Sequence, residues 1–222
     1  METLRESFPE LFSAASLGVI WSGLKVTLLI TALGMLFGTL LAAALCAASR
    51  CPWRVLRGME RVYSLIVRGT PVLMLLLFLF YVVFARSGLP ALWVAVIAFS
   101  LNSAAHVDEI MKSALSAVDE GQVKAARTLG FSKWQAFRYV TFPQAFAFAK
   151  PVYQSAVINI LQWTSVVGYI TISDLTRVIN QLGVRASKPF FSLFMGIALY
   201  LLIGYLVHLL FSFAGRKGGD RA

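Results

Sequence analysis

Side-chain amides and hydroxyls gather in one otherwise apolar stretch, at Gln154, Ser155, Asn159, Gln162, Thr164 and Ser165. Ser155, Asn159 and Gln162 stand four and three residues apart, so a helix would carry them as one stripe, with Gln154 and Ser165 beside it. Uncompensated polar groups are costly in hydrocarbon, so such a stripe must face protein or water. Two readings fit it. The groups could line a path for a solute bearing a carboxylate and an ammonium, or they could hydrogen-bond neighbouring helices. A second set, Asn102, His106 and Glu109, has the same spacing and could form a proton relay, as in a proton-coupled secondary carrier of small polar solutes. Against that, an acid at mid-membrane costs roughly 2.5 to 3.5 kcal/mol. Asp108 and Glu109 sit better at the cytoplasmic interface just before Met111 and Lys112, with His106 structural. The sequence holds no phosphate-binding loop and no metal-ligand cluster, and its two histidines, His106 and His208, fall in different apolar runs. Catalytic and metal-binding residues are therefore not expected, and energy for any work must come from outside the chain.

The elements that position these residues are written in the composition. Of 222 residues 59% are hydrophobic and only 14% charged, with a mean hydropathy of +0.76. That balance belongs in a bilayer. About 20 residues at 1.5 Å rise cross hydrocarbon, and five runs reach that scale, at 22–48, 63–84, 91–107, 151–171 and 190–213. The second is interrupted by Arg68-Gly69-Thr70-Pro71, which reads as a helix start with Thr70 as cap and Pro71 in the first position, leaving a short span. Residues 1–21 mix Phe8, Leu11, Phe12 and Leu17 with acids and serines, as an interfacial segment would, and Glu2, Glu6 and Glu10 argue against a cleavable signal peptide. One transmembrane domain over 22–214, including a loop at 112–150, would then be followed by a cytoplasmic tail at 215–222. Gly34 and Gly38 form a Gly-x-x-x-Gly pair that permits close helix approach, within the subunit or between subunits.

A net charge of +10 could suggest nucleic acid, but the basic residues collect in alternate loops. Fourteen lie in the first loop, the third loop and the tail, and five on the other side, which sets the N-terminus outside and the C-terminus in the cytoplasm. No nucleic-acid partner is expected, since so short a loop between spans cannot easily dock a duplex. Cys46 and Cys51 then fall at the reducing face, where they serve packing.

The third loop, 112–150, is built as two capped helices. Asp119 with Gln122 reads as a capping pair and Gly130 as the left-handed stop of the first, which offers small Ala125 and Ala126 for close approach. Ser132 with Gln135 repeats the cap, and the second helix should stop before Pro143. Trp134, Phe137 and Val140 make an apolar stripe that needs a partner or the feet of the spans. Further on, Leu175, Val178, Ile179 and Leu182 alternate with Asp174, Arg177, Asn180 and Gln181, an amphipathic helix on the outer side.

The run Glu120-Gly121-Gln122-Val123-Lys124-Ala125-Ala126-Arg127-Thr128-Leu129-Gly130, followed by Phe142-Pro143-Gln144-Ala145, resembles the EAA loop of ATP-binding-cassette importer permeases. More narrowly, the chain resembles the histidine/glutamine/arginine permease family from about Lys25 to Phe213. The motifs Arg68-Gly69-Thr70-Pro71, Leu101-Asn102-Ser103-Ala104-Ala105, Phe137-Arg138-Tyr139-Val140 and Asp174-Leu175-Thr176-Arg177 carry that likeness. The resemblance implies an all-α integral membrane fold of about five transmembrane helices with a cytoplasmic EAA-type coupling loop. It implies a permease subunit in the bacterial inner membrane that translocates a polar amino acid, with no cofactor of its own and with ATP and Mg on a partner. The implied partners are a cytoplasmic ATPase dimer, a second permease subunit, an extracytoplasmic amino-acid binding protein that the outer amphipathic helix helps to receive, and membrane lipid. Glu120, Gly121, Lys124, Ala125, Ala126, Arg127 and Gly130 would form the ATPase-coupling surface. Asn102 and the polar stripe would form the substrate path. Two departures stand out: Lys124 replaces the family's usual glutamate, and Gln162-Trp163 replaces its common Lys-Asp.

Overall fold

A computed structural model describes residues 14–219, and every regular element among the described residues is a helix. Helix α1, Ala14–Ser49, has 36 residues without proline or acid. Its hydroxyls are absorbed locally, Thr31 Oγ1 donating to Thr27 O at 2.8 Å, which removes the cost of a bare hydroxyl in hydrocarbon. Residues 14–21 are already part of this helix, and the expected interfacial segment before them lies outside the described residues.

The chain breaks where the proline motif sits, but the cap works differently from the sequence expectation. Helix α2, Arg54–Gly69, ends at Thr70, whose hydroxyl donates back to Ile66 O at 2.8 Å instead of capping the next helix. Pro71, not Thr70, precedes helix α3, which runs Val72–Val83 with a wider last turn from Leu79. Helix α4, Ala91–Ser116, is the most buried of the long apolar helices. After α5, Glu120–Thr128, and the short α6, Lys133–Ala136, a wide turn at Phe137–Thr141 leads into α7, Phe142–Trp163. A turn of 3₁₀ helix, Thr164–Ile170, then precedes α8, Leu175–Arg185, and α9, Pro189–Gly219.

The expected stop before Pro143 does not occur. The Phe142 N–H donates to Phe137 O, five residues back, a widened turn that relieves the ladder where a proline cannot donate. Pro143 follows directly on that widened turn, inside a run that stays helical from Lys133 onward. The fourth apolar run therefore continues a helix that starts at Phe142, with Pro151 inside it. Three helices are long and apolar enough to cross a membrane, and five spans result if each broken pair, Arg54–Gly69 with Val72–Val83 and Lys133–Ile170 with Leu175–Arg185, counts as one.

The described residues divide into two compact units, one of residues 35–70 and 100–157, the other of residues 14–34, 71–99 and 158–219. In the first, Gly38 meets α4 so closely that a Cβ there would lie 1.8 Å from Ser103 Oγ and 3.0 Å from Ser100 O. The glycine motif thus works, at Gly38, within the subunit. Tyr63 Oη donates to Leu101 O at 2.7 Å, and Thr39 and Tyr153 share a hydroxyl bond of 2.8 Å. Gly38→Leu is expected to overpack this contact by about 1–3 kcal/mol or more. A lowered midpoint in detergent thermal-shift measurements checks it, and an unchanged midpoint would show that α4 is free to move away.

In the second unit, Ile20, Leu161, Leu175, Val178, Ile179, Leu182 and Ile203 form the core. The apolar face predicted for α8 is the buried one. Thr27 Oγ1 accepts the Leu175 N–H at 3.1 Å, anchoring the start of α8 on α1. Gly183 leaves the room that Ser192 of α9 fills, since a Cβ there would lie 2.0 Å from its Oγ.

Candidate functional site

The polar stripe of α7 lies on an uncovered face: Ser155, Asn159 and Gln162 are all exposed, and Gln154 is half-buried beside them. Ser155 Oγ donates to Pro151 O at 3.2 Å, a bond local to its own helix. Thr164, by contrast, is fully buried and its hydroxyl donates to Leu161 O at 2.7 Å, so it is engaged inside the helix end. Asn102 belongs to the first unit and is also buried, with an Oδ1 that has no hydrogen-bond partner among the described residues.

Gln162 and Ser165 reach a cavity of about 710 Å³ in the second unit, walled by the end of α7, by α8 and by α9. Thr176 and Asn180 of α8 and Tyr200 of α9 add polar groups to it, the Thr176 and Tyr200 hydroxyls lying 2.8 Å apart. Ile158, Ile197, Leu201 and Tyr205 supply an apolar wall. Ser165, Thr176 and Asn180 also border a second cavity of about 670 Å³, where Arg177, Gln181 and Arg185 join them. The polar face of α8 is thereby turned to open space. Asp174 fixes that helix as its N-cap: one carboxylate oxygen accepts the Arg177 N–H at 3.1 Å and the other the Thr176 N–H at 3.0 Å. The Arg177 guanidinium donates to Gly168 O at 2.9 Å, holding the 3₁₀ turn against α8. Such a wall can donate to carboxylates and accept from an ammonium.

In the first unit the loop helices are capped much as their sequence implies. Asp119 Oδ1 accepts the Gly121 N–H at 2.7 Å, and Gly130 has φ +93°, the left-handed stop that a side chain would strain. Ser132 and Gln135 complete a reciprocal capping box. Gln122 does not pair with Asp119 as the sequence suggested; its amide oxygen accepts from Gln144 Nε2 at 2.7 Å, tying α5 to the foot of α7. Beneath that bond Val123 packs against Ala114, Val118 and Ala145. Ala126 is buried and Ala125 exposed, so only one of the two small residues offers a smooth outer surface. Glu120, Gly121, Lys124, Arg127 and Gly130 are exposed, with Lys124 bonded to Glu120 one turn back at 3.3 Å. An ion pair so open to water contributes little to stability. Arg127 donates to Phe131 O at 2.5 Å, closing the turn between the helices. Leu129 at 81% and Trp134 at 67% exposure leave an apolar rim largely uncovered by the described residues. Trp134 stacks on Phe137 at 5.7 Å between centroids.

Sequence reasoning missed a charged cluster between α2 and α4. Lys112 Nζ donates to Asp108 Oδ2 at 2.6 Å and also to Glu60, while Ser64 Oγ donates to Glu60 at 3.0 Å. Glu60, Ser64 and Asp108 are buried, so the cluster lies inside the protein. The signal was present in the four-residue spacing of Asp108 and Lys112, and in Glu60, Ser64 and Val67, which share the buried face of α2. The proposed relay, in contrast, is not assembled. His106 Nδ1 lies 2.9 Å from Asn102 O of its own helix, and Glu109 pairs with Arg68 at 3.2 Å, with 48% of its side chain exposed.

Apolar helices and a capped two-helix loop in this order have a family. The chain belongs to the binding-protein-dependent transport system inner membrane components, whose family model matches residues 34–217. It is 34% identical over 81% of its length to a probable amino-acid ABC transporter permease protein, YckA, of Bacillus subtilis strain 168, covering 76% of that protein. It is 30% identical to the histidine/lysine/arginine/ornithine transport system permease protein HisM of Salmonella typhimurium, across 90% of both chains. A crystal structure of an amino acid ABC transporter with histidines superposes with a TM-score of 0.83 at 30% identity, over 93% of this chain and 97% of that one. The MetNI methionine ABC transporter shares the fold at 18% identity, with a TM-score of 0.78 over 93% of this chain and 99% of the other.

Proposed function

We propose that the chain is the permease subunit of an ATP-binding-cassette importer that carries a polar amino acid across the bacterial inner membrane. The observation that carries this reading is the family match over 34–217, joined to amino-acid permease relatives at 30–34% identity. The chain works with ATP and Mg bound on a separate cytoplasmic ATPase dimer, beside a second permease subunit, and receives substrate from an extracytoplasmic binding protein. Its N-terminus faces out and its C-terminus faces the cytoplasm, as the loop charges favour.

Coupling follows from rigidity. Closure of the ATPases pushes on the exposed face of α5, Glu120 to Gly130, and the Gln122–Gln144 bond and the Val123 packing pass the displacement to the foot of α7. A capped helix moves as a lever where a loose loop would absorb the motion. With Lys124 in place of glutamate, the ATPase groove meets a positive charge held beside Glu120. At the other end of α7, Asn159, Gln162 and Ser165 offer neutral hydrogen-bonding groups to a zwitterion in transit.

The reading is tested by ATP-driven uptake of labelled amino acids into proteoliposomes holding the assembled transporter. Asn159→Leu should lower uptake about tenfold, the loss of one hydrogen-bonding partner in a desolvated path, with unchanged assembly on size exclusion. Full uptake by that variant would assign Asn159 to helix contacts.

A further inference from the structure

The charges around the two cavities of the second unit are of one sign. Arg177 and Arg185 wall the 670 Å³ cavity together with the neutral Ser165, Thr176, Asn180 and Gln181, and no carboxylate lines either cavity among the described residues. The sequence places only one acid, Asp174, in the described part of this unit, against Lys25, Arg86, Arg177, Arg185, Lys188, Arg216 and Lys217. Asp174 is fully buried, and both of its oxygens accept backbone N–H groups at the start of α8. It has no free face to offer a cation.

From these positions we infer that the permease's own substrate site is selective for amino acids with an acidic side chain, tolerates neutral polar ones, and excludes those with a cationic side chain. The inference rests on the amino-acid permease reading above and gives that reading a substrate class. An amino acid of any kind brings an α-carboxylate and an α-ammonium. The hydroxyl and amide oxygens of Ser165, Thr176, Asn180 and Gln181 suffice to accept from the ammonium. The carboxylate takes a guanidinium, whose planar fork of donors matches two oxygens at once. Arg177 gives one N–H to Gly168 O at 2.9 Å, which steadies the side chain and leaves its remaining donors for a ligand. With two arginines on the wall, a second carboxylate, on the substrate's side chain, also finds a partner. A side-chain ammonium or guanidinium would find two like charges and no counter-charge. Repulsion of unit charges at this range in a partly solvated cleft discriminates on the order of tenfold or more.

The test is equilibrium binding of labelled glutamate and arginine to the detergent-solubilised transporter, permease with its ATPase but without the binding protein, read by scintillation proximity. Glutamate should bind displaceably, with arginine at least tenfold weaker. Arg185→Gln should weaken glutamate about tenfold while Arg185→Lys retains most of the binding, which separates loss of charge from loss of fold. If arginine binds as tightly as glutamate, or if the native site binds neither while binding-protein-driven uptake of an amino acid proceeds, the selectivity inference is overturned and the amino-acid reading survives. If neither binding nor ATP-driven uptake of any amino acid is found, the functional reading itself fails and the inference with it.

Discussion

Replacement of Lys112 by methionine is expected to destabilise the protein by about 3–5 kcal/mol, the cost of removing one partner from a buried ionic group. Lys112 is the cation between Glu60 and Asp108, which are 4% and 0% exposed. Asp108 already has one oxygen, Oδ1, without a hydrogen bond among the described residues. Removing the ammonium leaves two neighbouring carboxylates in the interior with the Ser64 hydroxyl beside them, 3.0 Å from Glu60 Oε1 and 3.4 Å from Asp108 Oδ2. Burial of unpaired charge is far more expensive than absence of the charges altogether. The triple variant Lys112→Met, Glu60→Gln, Asp108→Asn should therefore recover much of the loss. The measurement is the thermal midpoint of the purified protein in detergent. Equal destabilisation in the single and triple variants would mean that side-chain volume, not charge, holds α2 on α4.

How far the residues announce this architecture depends on which force places them. Hydrophobic runs and the loop charges are local and dense, so α1, α4, α9 and the expectation of about five spans could be read from composition. The Ser132–Gln135 box and the Gly130 stop were equally legible, because a cap is a contract among neighbours in sequence. Thr70 and Gln122 show the limit of such reasoning. Each has a side chain that can serve either of two elements, and the choice is settled by geometry beyond the local sequence: Thr70 closes the preceding helix, and Gln122 reaches twenty-two residues on to Gln144. Pro143 misled for a related reason, since the helix runs on past it after the widened turn at Phe137–Thr141, which accommodates a residue that cannot donate.

The candidate site divides along the same line. The stripe of Ser155, Asn159 and Gln162 follows from helical periodicity alone, and all three side chains are exposed on α7. Thr164 lies next to that stripe in sequence but is drawn inside by its bond to Leu161 O. Arg177 passed as an ordinary member of an amphipathic helix and Arg185 only as a charge on the outer side, because only the fold brings Ser165 and the polar face of α8 to one cavity. The Glu60–Lys112 contact spans 52 positions, and no spacing rule couples residues so far apart.

The second large effect is expected at Gly130. Its φ of +93° is closed to proline, whose ring fixes φ near −65°. Its N–H donates to Arg127 O at 3.1 Å, and the following Phe131 N–H donates to Ala126 O at 3.2 Å. Gly130→Pro removes the first bond outright and swings the chain away from the second, so the end of α5 unravels and the Arg127 to Phe131 closure is lost. The lever of the proposed mechanism is then cut between α5 and α6, while the apolar spans retain their packing. Uptake should fall to background, at least a hundredfold, and a tagged permease should no longer copurify its ATPase. Gly130→Asn gives a graded comparison, since asparagine tolerates a left-handed φ better than other side chains and keeps the N–H; it should retain a substantial part of both activities. Wild-type copurification and uptake in Gly130→Pro would show that α5 does not transmit force through its capped end. In that case the Gln122–Gln144 tie to α7 would be the route to break next.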